Sequence, residues 1–178
     1  SMRLLLLGCS GFIGRELVPQ LIQSGHDLTL VSRNPPKKFF QKFNPEKLKH
    51  LQINPSNLDN WEKGNLIDVL SKSDGVINLA GEPIAEKRWT INHCKTIEKS
   101  RLDTTKGLIL AMKNLKRPPE FLLNASAIGF YGTSPSEYFS EDSSTGKDFL
   151  AKLCNEWEKL ACQKPRKTRL VILRIGIV

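Results

Sequence analysis

Apolar residues along this chain fall into short runs that alternate with stretches of helical period. Leu4–Leu7 is an unbroken apolar run of strand length, which predicts a buried strand. From Phe12 to Gln23 the spacing changes, and Leu17, Val18, Leu21 and Ile22 recur on one side of a helix. Gly25 then supplies the residue type that commonly ends a helix. Leu28–Val31 predicts a second strand, closed by the turn-forming Asn34-Pro35-Pro36. The lysine-rich stretch that follows is weakly patterned and predicts only a short strand near Leu51–Ile53 and a short helix near Leu66–Leu70.

Order returns at Gly75–Gly81, which reads as a strand running into a loop. A long helix is expected from Thr90 to Leu115, carrying Ile97, Leu108 and Met112 and stopping before Pro118-Pro119. Phe121–Ala125 predicts another strand. Lys147 to Cys162 predicts a helix with Phe149, Leu150, Leu153, Trp157 and Leu160 on its buried side, and Leu170–Val178 a final strand. Strands separated by helices imply parallel βαβ units. The expected class is α/β: a Rossmann-type doubly wound parallel sheet with helices on both faces.

Composition narrows the picture without changing it. The chain has 178 residues, 39% hydrophobic and 25% charged, as expected of a single globular domain. No apolar run approaches the roughly 20 residues that span a bilayer, and Leu4–Leu7 is too short for a signal peptide, so no membrane association is expected. Cys9, Cys94, Cys154 and Cys162 match neither a metal site nor a C-x-x-C pair, which points to reduced thiols and a cytoplasmic location. The net charge of +9 raises nucleic acid as a partner. The cations are scattered in short groups such as Lys37-Lys38 and Lys164–Arg169, without interleaved aromatics, so a solvated surface is the expectation and no nucleic-acid partner is assigned.

The chemistry begins at Gly8-Cys9-Ser10-Gly11-Phe12-Ile13-Gly14, a G-x-x-G-x-x-G placed after a strand and opening a helix. In that context Gly8, Gly11 and Gly14 allow a tight turn, close backbone approach to a pyrophosphate and close helix–strand packing. Ser10, Phe12 and Ile13 fall in the same cradle, where the helix N-terminus presents N–H groups and partial positive charge to phosphates. A site for NAD places an acid at the end of the second strand to bond the ribose 2′-hydroxyl. Here that place holds Ser32-Arg33, with no acid between Asp27 and Glu46. A carboxylate would repel a 2′-phosphate, whereas an arginine fork pairs with one. The expected cofactor is therefore NADP(H), preferred over NAD(H).

Taken together, these stretches resemble the extended short-chain dehydrogenase/reductase superfamily, and most of all its atypical branch of "epimerase family" proteins. The resemblance runs from Met2 to Val178. It rests on the glycine loop, "VSRNP", "VINLAGEPIAEKRWT", "SRLDTT", "NASAIGFYG" and "FLAKLCNEWEKLA" in that order. It implies that Ser32 and Arg33 contact the adenosine phosphate end. Leu79, Ala80 and Gly81 would line the cofactor, and Arg101 would reach it from the long helix. Ser126 would stand beside the substrate's carbonyl or hydroxyl.

The departure from the superfamily lies in its Tyr-x-x-x-Lys pair, in which lysine and cofactor ribose lower the tyrosine pKa for acid–base work. Pro135 follows Tyr131 by four residues and Asp142 follows Tyr138. On the helix where the pair belongs, Leu150 and Cys154 take the two places, or Asp148 and Lys152 if the alignment slides by two. Tyr131 could act as a substitute proton donor or could simply pack. Glu82 and Lys87 border the expected cleft and are no better marked than ordinary loop charges.

Two readings follow. One is a reductase or epimerase with a non-standard active site, acting on an unknown small molecule. The other is a non-catalytic NADPH-binding sensor or interaction module. Residues 2–178 are expected to be the cofactor-binding domain, with a substrate-binding C-terminal region lying beyond this fragment. Oligomeric state is left open, and no metal site is expected.

Overall fold

A computed structural model of the chain describes residues 1–8, 12–34, 37–79, 91–127 and 143–175. Six strands, β1 (Arg3–Leu7), β2 (Asp27–Ser32), β3 (Leu48–Gln52), β4 (Gly75–Asn78), β5 (Phe121–Ala127) and β6 (Arg169–Ile175), form one sheet in the order β3-β2-β1-β4-β5-β6. Every pairing is parallel. This is the doubly wound Rossmann order, which reverses direction between β1 and β4. The helices are α1 (Phe12–Gln23), α2 (Lys37–Phe40), α3 (Asn65–Ser71), α4 (Ile91–Lys113) and α5 (Ser143–Ala161).

The Leu4–Leu7 run is apolar throughout because β1 is covered on both faces, as central parallel strands are. Leu4 and Leu6 point into a core with Val18 of α1, Leu28, Leu30, Leu48 and Ile77, against which Leu17, Leu21, Ile22 and Phe39 pack. Leu5 and Leu7 point the other way, into a core with Leu66 and Leu70 of α3 and Leu108, Ile109 and Met112 of α4. α5 rests on α4 and β5.

α1 has the limits its pattern predicts and ends in a Schellman turn. Gly25 takes φ 88°, its N–H reaches the Ile22 carbonyl, and the His26 N–H reaches the Leu21 carbonyl.

The weakly patterned stretch after β2 holds more structure than its sequence predicts. α2 lays Phe39 and Phe40 against the α1-side core. A 3₁₀ turn, Leu58–Trp61, starts at Asn57, whose side chain accepts from the Asp59 N–H. Asn54 accepts from both the backbone and hydroxyl of Ser56, and its carbonyl accepts from Asn60. These turns seat Trp61 in the α4-side core, with its indole N–H donating to the Pro55 carbonyl at 2.7 Å. Trp61 lies so close to Gly107 of α4 that a Cβ there would overlap the indole.

Candidate functional site

In a doubly wound sheet, ligands bind beyond the carboxyl ends of the strands at the point where strand order reverses. Here that point lies between Leu7-Gly8 and Asn78-Leu79. Leu7 is paired with Asn78 in the β1–β4 register, and the Leu79 N–H donates to the Leu7 carbonyl at 2.8 Å. Gly8 leaves β1 with φ 74°, a left-handed conformation that favours glycine. Phe12 and Ile13 open α1, and Gly14 is buried in its first turn, which brings the start of the helix close to the sheet. Leu79 packs on the α1-side core. Ser10, Gly11, Ala80, Gly81, Glu82, Lys87, Tyr131 and Tyr138 lie outside the described residues.

Ser32 is the last residue of β2, and the exposed Arg33 follows it. The Ser32 hydroxyl lies 2.8 Å from Nε2 of His50 and 3.2 Å from the Asn34 carbonyl oxygen. His50 stands on the neighbouring edge strand with the Phe40 ring edge-on to it, 5.1 Å between centroids. Burial pushes the imidazole below the ordinary histidine value. Sequence reasoning passed over His50. Its only signal was an isolated histidine in the lysine-rich stretch, and strand register alone brings it to Ser32.

On the other side of the reversal point the strand ends are polar. Asn78 of β4 and Asn124 of β5 are adjacent in register and fully buried. The Asn78 amide donates to the Asn124 carbonyl oxygen at 2.7 Å and to the Thr105 hydroxyl of α4 at 2.9 Å. The indole N–H of Trp157, from α5, donates to the same Thr105 oxygen. Arg101, one turn before Thr105, is buried, with its guanidinium carbon 5.6 Å from the centroid of the Trp157 ring. "SRLDTT", "NAS" and "NEWEK" therefore meet as one hydrogen-bonded cluster at the carboxyl ends of β4 and β5. Trp157 anchors α5 to α4 through this hydrogen bond, and it lies on the buried side that the pattern of α5 predicts.

Ser126 lies near the end of β5, opposite Arg174 of β6. On α5, Cys154 is buried and not disulfide-bonded, while Lys152 is exposed. The slid alignment would thus use a lysine on the helix's outer side. Beyond the end of β3, Asn54, Ser56, Asn57 and Leu58 face Lys99 and Asp103 of α4 across an open cleft. Among the described residues no group of three or more histidine, cysteine, aspartate or glutamate side chains could hold a metal, and no helix is long and apolar enough to cross a membrane.

The model of the NAD dependent epimerase/dehydratase family matches residues 4–178. The chain belongs to that family. It is 34% identical over 180 aligned positions to the Arabidopsis thaliana "epimerase family protein SDR39U1 homolog, chloroplastic", an alignment that takes in 100% of this chain and 49% of that protein. Human epimerase family protein SDR39U1, solved with NADPH, superposes with a TM-score of 0.66 at 29% identity, over 97% of this chain and 53% of that one. The Bordetella bronchiseptica enzyme WbmG, solved with NAD, superposes at 0.67 but with 14% identity, over 97% of this chain and 52% of that one, a likeness of fold alone. The chain thus has the NAD(P)-binding fold of its family. It spans about half the length of the curated relatives it matches.

Proposed function

We propose that this chain is the NADP(H)-binding half of a reductase or epimerase acting on a small molecule. The observation that carries the reading is the end of β2. Ser32 offers a hydroxyl and Arg33 an exposed guanidinium where an NAD site needs a carboxylate. Gly8, Ser10, Gly11, Phe12, Ile13 and Gly14 would hold the pyrophosphate, Ser32 and Arg33 the 2′-phosphate, and Leu79, Ala80 and Gly81 the nicotinamide half. The NADPH bound by human SDR39U1 supports the same choice. The cofactor supplies hydride chemistry when bound. Ser126 would orient a substrate oxygen, and Tyr131 is the candidate proton donor. Arg101, fixed on Trp157, would add positive charge near the cleft.

The test is a thermal-shift titration of NADPH and NADH with the wild type, Arg33→Ala and Arg33→Asp. A ligand that binds only the folded state stabilises it by RT ln(1 + [L]/Kd), about 2.7 kcal/mol at roughly 100 Kd. NADPH should raise Tm further than NADH at equal concentration, and Arg33→Asp should erase or invert the difference. Equal shifts in the wild type overturn the preference.

The buried Cys154 and the exposed Lys152 favour a second reading, a module that binds NADPH without turning it over. The full-length protein, assayed for NADPH oxidation against a panel of carbonyl compounds, separates the two. Turnover of any of them excludes the module. The reduced cysteines favour a reducing compartment such as the cytoplasm, and relatives include a chloroplast protein.

A further inference from the structure

The contacts of Ser32 define a proton-controlled arrangement at the end of β2. Its hydroxyl has one proton and two acceptor-capable neighbours, His50 Nε2 at 2.8 Å and the Asn34 carbonyl at 3.2 Å. If Nε2 carries no proton, Ser32 donates to His50. If Nε2 carries one, His50 donates to Ser32, and the serine proton is released toward Asn34 or toward a ligand oxygen. An imidazolium always carries that Nε2 proton. Protonation therefore turns the serine donor away from the ring and places a positive charge on the same strand ends as Arg33. The ring is held in place for this, opposite Leu30 in the β2–β3 register and edge-on to Phe40.

Resting on the NADP(H) reading above, we propose that His50 is a positioning residue for the cofactor's 2′-phosphate, setting the Ser32 hydroxyl toward that group and drawing a net uptake of protons from solvent when it binds. Burial favours the neutral ring in the free protein, and a phosphate dianion nearby favours the charged form. The charged groups on and beside the elements around it are Asp27 at the far end of β2, Lys37 and Lys38 on α2, Lys42 and Glu46 between α2 and β3, Lys47 and Lys49 beside or within β3, and Arg33 past β2. Asp27 is engaged by Lys47 at 3.0 Å. Glu46 lies with Asp27 toward the amino ends of these strands, and the others are cations.

Calorimetric titration of the wild type with NADPH and with NADH, at about pH 7 in two buffers of different ionisation enthalpy, counts the protons exchanged. Net proton uptake is expected with NADPH and not with NADH. A phosphate monoester has a second pKa of about 6 and binds as the dianion, so it can only release protons, and uptake must come from the protein. His50→Gln keeps an N–H donor but does not titrate. Uptake should vanish in this variant, and the wild-type advantage in NADPH affinity should grow about tenfold from about pH 8 to 6, the equivalent of a one-unit pKa shift. Parallel pH profiles for the two proteins, or NADPH preference without proton uptake, overturn the role of His50 alone. Equal wild-type affinity for NADPH and NADH at every pH overturns the 2′-phosphate reading and this inference with it. If His50→Gln does not fold, the wild-type proton count still decides.

Discussion

The two sides of the reversal point build their strand ends from opposite materials. In the β1–α1–β2 unit the core is apolar to its edge, with Leu4–Leu7, Leu28, Leu30, Val31 and Val18 all buried. Gly8, Ser32 and Arg33 stand where these strands stop. In the β4–α4–β5–α5 unit the polar groups lie inside. Asn78 ends β4 and Asn124 lies beside it in β5, both at 0% exposure, and Thr105 and Trp157 complete their hydrogen bonds. An apolar core tolerates swaps of similar volume, whereas a buried polar network depends on every partner, because an unpaired buried donor costs its full desolvation. On the NADP(H) reading proposed above, the first design leaves the glycine turn for a phosphate to approach. The second encloses oriented amides and a buried arginine.

Trp157→Ala should break that contrast most severely. It removes a fully buried indole, the donor to Thr105 and the platform under Arg101, and should cost about 3–5 kcal/mol in urea denaturation. Thr105→Val comes next. It is nearly isosteric but leaves the Asn78 amide and the Trp157 N–H without their shared acceptor, a loss of about 1–3 kcal/mol. Leu6→Met in the apolar unit, also close in volume, should cost less than about 1.5 kcal/mol. If Thr105→Val proves as mild as Leu6→Met, the distinction between the two halves fails.

Gly107→Ala tests the join between α4 and the 3₁₀ turn. The new methyl would meet the Trp61 ring, and the crowding should cost about 1–3 kcal/mol. An unchanged midpoint would show that the indole can move aside. The smallest effect is on pH dependence. Burial holds folded His50 below the ordinary value of 6.5, so as pH falls the unfolded chain takes the proton first. This contribution is intact above pH 6.5 and is lost as pH falls below it through the folded value. Without cofactor, the wild-type Tm should therefore fall relative to His50→Gln between about pH 7 and 5.

How much could be read in advance differed along the chain for physical reasons. α1 could be bounded to the residue because its face is buried along its length and Gly25 closes it. β3 was expected near Leu51–Ile53 and stands at Leu48–Gln52. It is an edge strand with one fully buried residue, Leu48, so the alternation that marks a strand hardly shows. α2 and the 3₁₀ turn escaped notice because asparagine side chains and distant aromatic contacts hold them, and neither leaves a period in the sequence. At the site, Gly8, Ser32, Arg33 and Arg101 were marked by motif. His50 fell in no motif, and Asn78, Thr105 and Asn124 fell inside motifs without an assigned role, since a polar residue looks the same in sequence whether it is solvated or paired.

The sequence by itself determined the parallel α/β class, the glycine turn into α1 and the basic end of β2. Each of these depends on near neighbours, through strand length, helical period or the conformational freedom of glycine. Only the tertiary structure decided which polar side chains act together. Register carries His50 to Ser32 across 18 residues, and the packing of α4 and α5 carries Trp157 to Thr105 across 52. Such hydrogen bonds are settled by which buried donors and acceptors face one another once the sheet has formed.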